Sequence, residues 1–241
     1  MATIYNINFD FTSQEQQLLL RQLQAGNYTL FGFKGASGPN QITTGLPVWF
    51  TIPYMSMFGR TQIDYQPQYK VYVYNQDYIG TNITIHMQAL SAEVPLGTIL
   101  TFNADGTFSI KPGGSAGAIS LSDARPAGAS NVTAGLAAKI NGVYAPFCAF
   151  TSRPQGVVVM QPNDKIALFA AQTYLFSGSI ISNALNPGCT FEFNPGSIQY
   201  NLEMMPASFS ITNIPAALPV TEMYPGASLI QLLNSQTLGG Y

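Results

Sequence analysis

Residues of the types that carry out chemistry are few in this chain and are scattered along it. The 241 residues include one histidine, His86, and 11 acidic residues. Alternation in Ile83-Thr-Ile-His-Met87 places His86 opposite the three apolar side chains, so we expect it to face solvent. The chain has no EF-hand spacing of acids and no nucleotide-binding glycine motif. We therefore predict that the protein is not an enzyme and has no catalytic residue, metal site or cofactor.

The two cysteines, Cys148 and Cys189, both lie in apolar, strand-like stretches in the second half of the chain. They form no C-x-x-C motif, which gives little support to a zinc or redox site. We expect two small buried core residues. A disulfide between them remains the alternative.

Aromatic side chains offer another kind of site. Pro53-Tyr-Met-Ser-Met-Phe58 is a run of large apolar groups beside a turn, and Tyr72 and Tyr74 share one face of a strand. Aromatic rings gathered on one face can stack on sugars, enter lipid head groups or contact a protein. The candidate contact residues are therefore Tyr54, Met55, Phe58, Tyr72 and Tyr74. The alternative is that they cover the core.

Composition favours association with other protein surfaces. Charged residues make up 8% of the chain and hydrophobic residues 46%, whereas charged residues are roughly 25% of a typical soluble domain. The net charge of −2 gives little repulsion between molecules. We therefore predict a homo-oligomer. The nine Lys and Arg residues form no basic patch, which argues against nucleic acid as a partner.

The N-terminal stretch Met-Ala-Thr-Ile-Tyr-Asn shows no basic region followed by an apolar one, so we expect no Sec signal peptide. On this interpretation the protein is cytoplasmic or leaves the cell by a route that needs no such signal. The apolar runs are also too short to span a bilayer.

Hydrophobic periodicity predicts an all-β fold. Residues 5–11 alternate between apolar and polar, and most of the later apolar stretches are short, rich in β-branched and aromatic residues, and separated by Gly, Pro and Asn. One exception is Ser13–Leu23, where a Ser-x-x-Gln box precedes a leucine run and predicts a short helix.

An internal repeat divides the chain. Gln66-Pro-x-x-Lys70 recurs 95 residues later as Gln161-Pro-x-x-Lys165, and two further matches follow offsets of 90 and 91. We interpret each proline as marking a strand entrance. The repeat predicts a duplication into two tandem antiparallel β-sandwiches, residues 1–112 and 113–213. Residues 214–241 form an extended C-terminal arm, which could dock on its own chain or on a neighbouring molecule.

The chain also resembles a family of uncharacterised, low-charge tandem β-sandwich proteins of bacteria and fungi. The similar pieces are Tyr5-Asn-Ile-Asn-Phe9, the Leu96-Gly-Thr98 turn, Ala167-Leu-Phe169, Gly178-Ser-Ile-Ile-Ser182 and the Pro195-Gly196 turn. The resemblance implies a tandem β-sandwich fold, and no catalytic residue carries over from it because no activity is established for the family. The predicted helix and the arm are not part of the family pattern. Phe50-Thr-Ile-Pro-Tyr54 is similar to a short stretch of actinoporin-like cytolysins.

These observations lead to two expectations about function. The first is a non-catalytic structural or self-associating protein that builds an oligomer, fibre or inclusion through surface contacts. The alternative is a secreted or host-directed protein that binds a carbohydrate or acts on a membrane surface, as a lectin or toxin does.

Overall fold

Strands dominate the computed structural model, which describes residues 3–234. Within that range the helices are α1 (Gln14–Ala25) and α2 (Leu229–Asn234), and a 3-10 turn covers Tyr54–Ser56. The strands are β1 (Tyr5–Asp10), β2 (Thr29–Ser37), β3 (Leu46–Pro47), β4 (Phe50–Pro53), β5 (Arg60–Tyr74), β6 (Ala89–Leu90), β7 (Thr98–Phe102), β8 (Phe108–Pro112), β9 (Ile119–Asp123), β10 (Val132–Ile140), β11 (Val143–Pro146), β12 (Phe150–Ser152), β13 (Val157–Ala171), β14 (Ile180–Ile181), β15 (Gly188–Glu192), β16 (Gln199–Met204), β17 (Ile211–Asn213) and β18 (Thr221–Met223).

The N-terminal segment follows its sequence pattern closely. In β1 every second side chain is buried, because successive residues of a strand point to opposite faces. Ser13 then begins α1: its side chain accepts a hydrogen bond from the backbone N–H of Gln16 and satisfies a donor that the helix itself leaves unpaired. The helix packs through Leu19, Leu20 and Leu23.

Two sheets of eight strands each make up most of the fold. The first sheet has the order β11-β10-β5-β1-β16-β17, with β12 on β10 and β6 on β5. The second has the order β18-β15-β13-β9-β7-β8, with β2 between β13 and β4. Most pairs are antiparallel, but β1 pairs with β16 and β7 with β9 in parallel. The predicted all-β fold is confirmed, and these two parallel pairs depart from the expected antiparallel pattern.

The two sheets enclose a common hydrophobic core in a sandwich-like arrangement. One cluster of buried side chains includes Ile7 and Ile63 from the first sheet and Leu100 and Leu168 from the second. Because apolar area is removed from water on the inner face of each sheet, this shared core holds the layers together.

Strand pairing crosses the predicted boundary at residue 112. In the first sheet β5 pairs with β10, and β1 pairs with β16. In the second sheet β13 pairs with β2, and β9 pairs with β7. Each sheet therefore takes strands from both halves of the chain. This corrects the description of residues 1–112 and 113–213 as separate sandwiches, because neither half pairs its long strand only with its own strands.

The Gln-Pro-x-x-Lys motifs lie inside the two longest strands. β5 and β13 each span 15 residues. Pairing of β5 with β10 shifts register after Gln66, and pairing of β13 with β2 shifts between Pro162 and Ile166. Proline donates no backbone hydrogen bond and is tolerated within a sheet at such irregularities. The interpretation of the prolines as strand entrances was therefore wrong: the motif marks a mid-strand bulge.

The described part of the C-terminal arm folds back on its own chain. β18 pairs with β15 at the edge of the second sheet. The α2 residues Leu229 and Leu233 are buried with Phe31, Phe33 and Phe169. Residues 235–241 lie outside the described range. No helix within residues 3–234 is long and apolar enough to cross a membrane.

Candidate functional site

Two of the five predicted contact residues are buried. Tyr72 is fully buried, and its hydroxyl donates to the backbone oxygen of Cys148 at 2.7 Å. Tyr54 is also fully buried, with its hydroxyl 3.3 Å from the sulfur of Met204. As surface contacts these two predictions are wrong. The second face of β5 is not solvated around Tyr72, because a separate hydrophobic cluster that includes Ile79 covers it there.

The other three predicted residues do not form one face. Tyr74 is half-buried, and its ring meets the His86 ring edge-on at a centroid distance of 6.0 Å. Met55 and Phe58 are exposed at or just beyond the 3-10 turn that follows β4. His86 is exposed, as predicted.

Met55 instead lines a groove with aromatic residues that the sequence analysis missed. Tyr174 is 96% exposed and Phe176 is 69% exposed, although both carry large aromatic rings. We call this cavity of about 350 Å³ the aromatic groove. Its lining consists of Asn27, Tyr28, Thr29, Thr51, Pro53, Met55, Thr173, Tyr174, Leu175 and Phe176.

Ordered structure supports both sides of the aromatic groove. On one side β2 and β4 pair Thr29 with Pro53. On the other side the loop between β13 and β14 is anchored where it begins, because Gln172 donates to the backbone oxygen of Gly26 at 2.7 Å. The same loop is fixed again where Ser177 donates to the backbone oxygen of Trp49 at 3.0 Å. The exposed rings are therefore presented on a constrained loop.

Within residues 3–234, no charged side chain lines the aromatic groove. Its polar groups are the Asn27 amide and the hydroxyls of Thr29, Thr51 and Thr173, together with Tyr28 and Tyr174. Such a surface can stack on an apolar face and exchange hydrogen bonds with hydroxyl groups, but it offers no ion pair. It therefore suits a neutral, hydroxyl-rich ligand.

A second groove, of about 570 Å³, lies on the solvent face of the first sheet. Its polar side chains already bond to one another: Asn8 donates to Asn201 at 3.0 Å, and Arg60 donates to Asp10 at 3.2 Å. Among the described residues, no aromatic side chain other than the buried Phe9 lines it. It therefore offers no ring for stacking.

A buried polar cluster lies between the sheets. Lys34 is fully buried, and its Nζ donates to Oδ1 of Asp164 at 2.7 Å and to the backbone oxygen of Asn163. The hydroxyl of Tyr65 donates to the same Oδ1 at 2.6 Å and lies 3.0 Å from the hydroxyl of Tyr69. Burial lowers the pKa of Lys34, and the charge of Asp164 opposes that shift.

The cysteines are free and buried, as expected. Burial raises the pKa of the Cys148 thiol to about 12 and shifts that of Cys189 in the same direction. Both are therefore protonated at neutral pH, which leaves little thiolate for nucleophilic chemistry. Within residues 3–234, no group of three or more His, Cys, Asp and Glu residues could hold a metal ion.

Comparisons with known proteins give no relative. No protein-family model matches the chain, and neither the curated proteins nor the solved structures contain a match. Function is therefore inferred from the chemistry of the aromatic groove and of the surface around it.

Proposed function

We propose that the protein is a non-catalytic binding protein that recognises a neutral carbohydrate at the aromatic groove. The observation that carries the proposal is the exposure of Tyr174 and Phe176 beside Met55 on an anchored loop. Large apolar side chains left in water forgo the favourable free energy of burial, and a group of them marks an interaction site. A sugar ring has an apolar face that can cover them.

The polar groups of the aromatic groove favour a sugar over a membrane surface. Peripheral proteins that bind anionic lipids usually combine apolar side chains with Lys or Arg. The lining of this groove includes neither. Hydroxyl and amide groups at Asn27, Thr51 and Thr173 match the donors and acceptors of a neutral sugar instead.

We predict that Tyr174→Ala weakens glycan binding roughly tenfold, because a lost aromatic contact costs about 0.5–1.5 kcal/mol beyond the buried area. Binding is measured first on an array of neutral glycans and then by titration with the best one. Tyr78→Ala is the matched control, since Tyr78 is 69% exposed and lies outside the groove.

A blank array, or equal binding by the wild type and Tyr174→Ala, would contradict the proposal. A liposome-leakage assay on the same two proteins tests the membrane alternative. Leakage by the wild type that Tyr174→Ala abolishes would assign the groove to a lipid surface.

Self-association is the second candidate function. It is supported by the low charge and by exposed apolar side chains on several surfaces, among them Phe58, Val143 and Val157. We predict a mass above the 25.9 kDa of one chain in size-exclusion chromatography with light scattering, reduced by Phe58→Ser. A concentration-independent species of one chain would argue against it. Deleting α2 is unsuitable as a test because it uncovers Phe31 and Phe169.

We infer that the two halves of the chain derive from a duplication in which strands were exchanged. Equivalent pairs support it: β1 lies antiparallel to the start of β5, and β9 lies antiparallel to the start of β13. The other partner of each long strand comes from the opposite half, β10 for β5 and β2 for β13. The bulge of each long strand coincides with the repeated motif.

A further inference from the structure

Lys34 occupies a position where a lysine is unusual. It lies in β2, in the stretch Leu30-Phe-Gly-Phe-Lys-Gly-Ala36, and its side chain is fully buried. Removing an ammonium group from water costs several kcal/mol even when a partner is present. A lysine at this position is therefore expected to have a specific role.

The carboxyl group of Asp164 meets Lys34 across two neighbouring strands. Pro162 pairs with Ala36 and Ile166 pairs with Lys34, so the bulge that contains Asp164 lies directly beside Lys34. Nζ and Oδ1 are 2.7 Å apart. The side chain of Asp164 is 28% exposed, which leaves a route to solvent for a small product.

Aromatic rings surround the pair. Nζ of Lys34 lies 4.8 Å from the centroid of the Tyr65 ring and 5.4 Å from that of Phe147. Such surroundings weaken the solvation of the Lys34 ammonium, and burial lowers the pKa of Lys34 toward the neutral amine, which is the nucleophilic form. The Tyr65 hydroxyl, which donates to Oδ1, is placed to stabilise negative charge on that oxygen.

We propose that Lys34 and Asp164 condense to form an intramolecular isopeptide bond between β2 and β13. Proton transfer from the ammonium to Oδ1 of the carboxylate, followed by exchange of that proton through solvent to Oδ2 of the partly exposed carboxyl group, first gives the neutral pair. Nζ then attacks Cγ of Asp164, and Oδ1 carries the negative charge of the tetrahedral intermediate under the Tyr65 hydroxyl.

Completion of the step releases water. The bond from Cγ to the other carboxyl oxygen breaks, and this oxygen leaves as water with one proton from the carboxylic acid and one from the amine. No oxidant, reductant or co-reactant is needed, because an amine and an acid give an amide and water. The amide removes the charges of the buried Lys34 and the partly exposed Asp164, and it links residues 130 positions apart in the chain.

The test is the intact mass of the folded full chain after prolonged incubation, measured under denaturing conditions. We expect a mass about 18 Da below that of the sequence, because one water is lost. Proteolysis is expected to give a branched peptide that joins the segments containing Lys34 and Asp164. A chain at its full sequence mass, shown by circular dichroism to be folded, would overturn the proposal.

Two substitutions assign the bond to its residues. Lys34→Arg keeps a cation but removes the amine nucleophile, so the loss of mass should disappear. Lys165→Arg, the matched change in the same bulge, should retain it. Persistence of the mass loss in Lys34→Arg, or its disappearance in Lys165→Arg, would overturn the assignment. The intact mass does not depend on carbohydrate binding, so failure of the isopeptide proposal and failure of the carbohydrate proposal can be distinguished.

Discussion

Replacement of Lys34 by alanine is expected to lower the free energy of unfolding by about 3 kcal/mol, the lower end of the range for breaking a buried ion pair. The substitution leaves Asp164 and the Tyr65 hydroxyl facing a void in the core. Because the Asp164 side chain is 28% exposed, it can regain part of its hydration, which keeps the cost at that lower end. Equilibrium unfolding in urea measures the change.

Two control variants separate the causes. Lys111→Ala removes an exposed lysine from the edge strand β8 and should change stability by less than about 0.5 kcal/mol. If Lys34 and Asp164 form only an ion pair, replacing both residues in the variant Lys34→Met with Asp164→Leu should restore most of the lost free energy of unfolding. Persistent destabilisation of the double variant would indicate that a covalent link had been removed. A loss below about 1 kcal/mol in Lys34→Ala would contradict the expected burial cost.

Replacement of Gly135 by alanine is expected to cost about 3 kcal/mol or more through overpacking. Gly135 lies in β10 where that strand pairs with Tyr72 of β5. A Cβ atom at this position would lie 2.1 Å from the backbone oxygen of Cys148 and 2.6 Å from the Tyr72 ring. Both neighbours are fully buried and have no space into which to move.

Thermal and urea unfolding of the soluble variant measure the cost of Gly135→Ala. The matched control is Gly128→Ala, because a Cβ at Gly128 meets no atom within 4 Å. Gly128→Ala should unfold within about 0.5 kcal/mol of the wild type. Equal stability of the two variants would show that the close approach of β10 to Cys148 does not constrain the fold.

The sequence predicted local structure well where each strand has one face in water. Alternation in β1 identified its buried residues, and Ser13 was placed correctly as a helix-starting residue. The same rule failed at Tyr72, because it assumes that the face opposite Val71 is solvated. Residues from the loop after β5 cover that face around Tyr72, and no local sequence pattern predicts that they do so.

Partners across the sheets could not be predicted from the repeat. Equal spacing shows that two segments are alike, but it does not show whether each segment pairs within its own half. The candidate sites depend on the same non-local information. The position of Lys34 within an apolar stretch can be read from the sequence, although it was not used as a signal there. Its contact with Asp164 cannot be read in this way, because that contact requires the bulge of β13 and the pairing of β13 with β2. The exposure of Tyr174 depends on which neighbours the rest of the fold places over its ring, and the local sequence does not contain that information.

Each sheet takes strands from both halves of the chain, so strands that are synthesised early remain unpaired until later strands have been made. Asn8 in β1 donates a hydrogen bond to Asn201 in β16, 193 residues later, so β1 is synthesised long before this partner strand. Non-local pairings of this kind slow folding and leave unpaired edges exposed in the meantime. A nascent first half carries β1, β2 and β5 without their partners β16, β13 and β10. We therefore expect an isolated first half of the chain to expose open sheet edges and to aggregate more readily than the full chain.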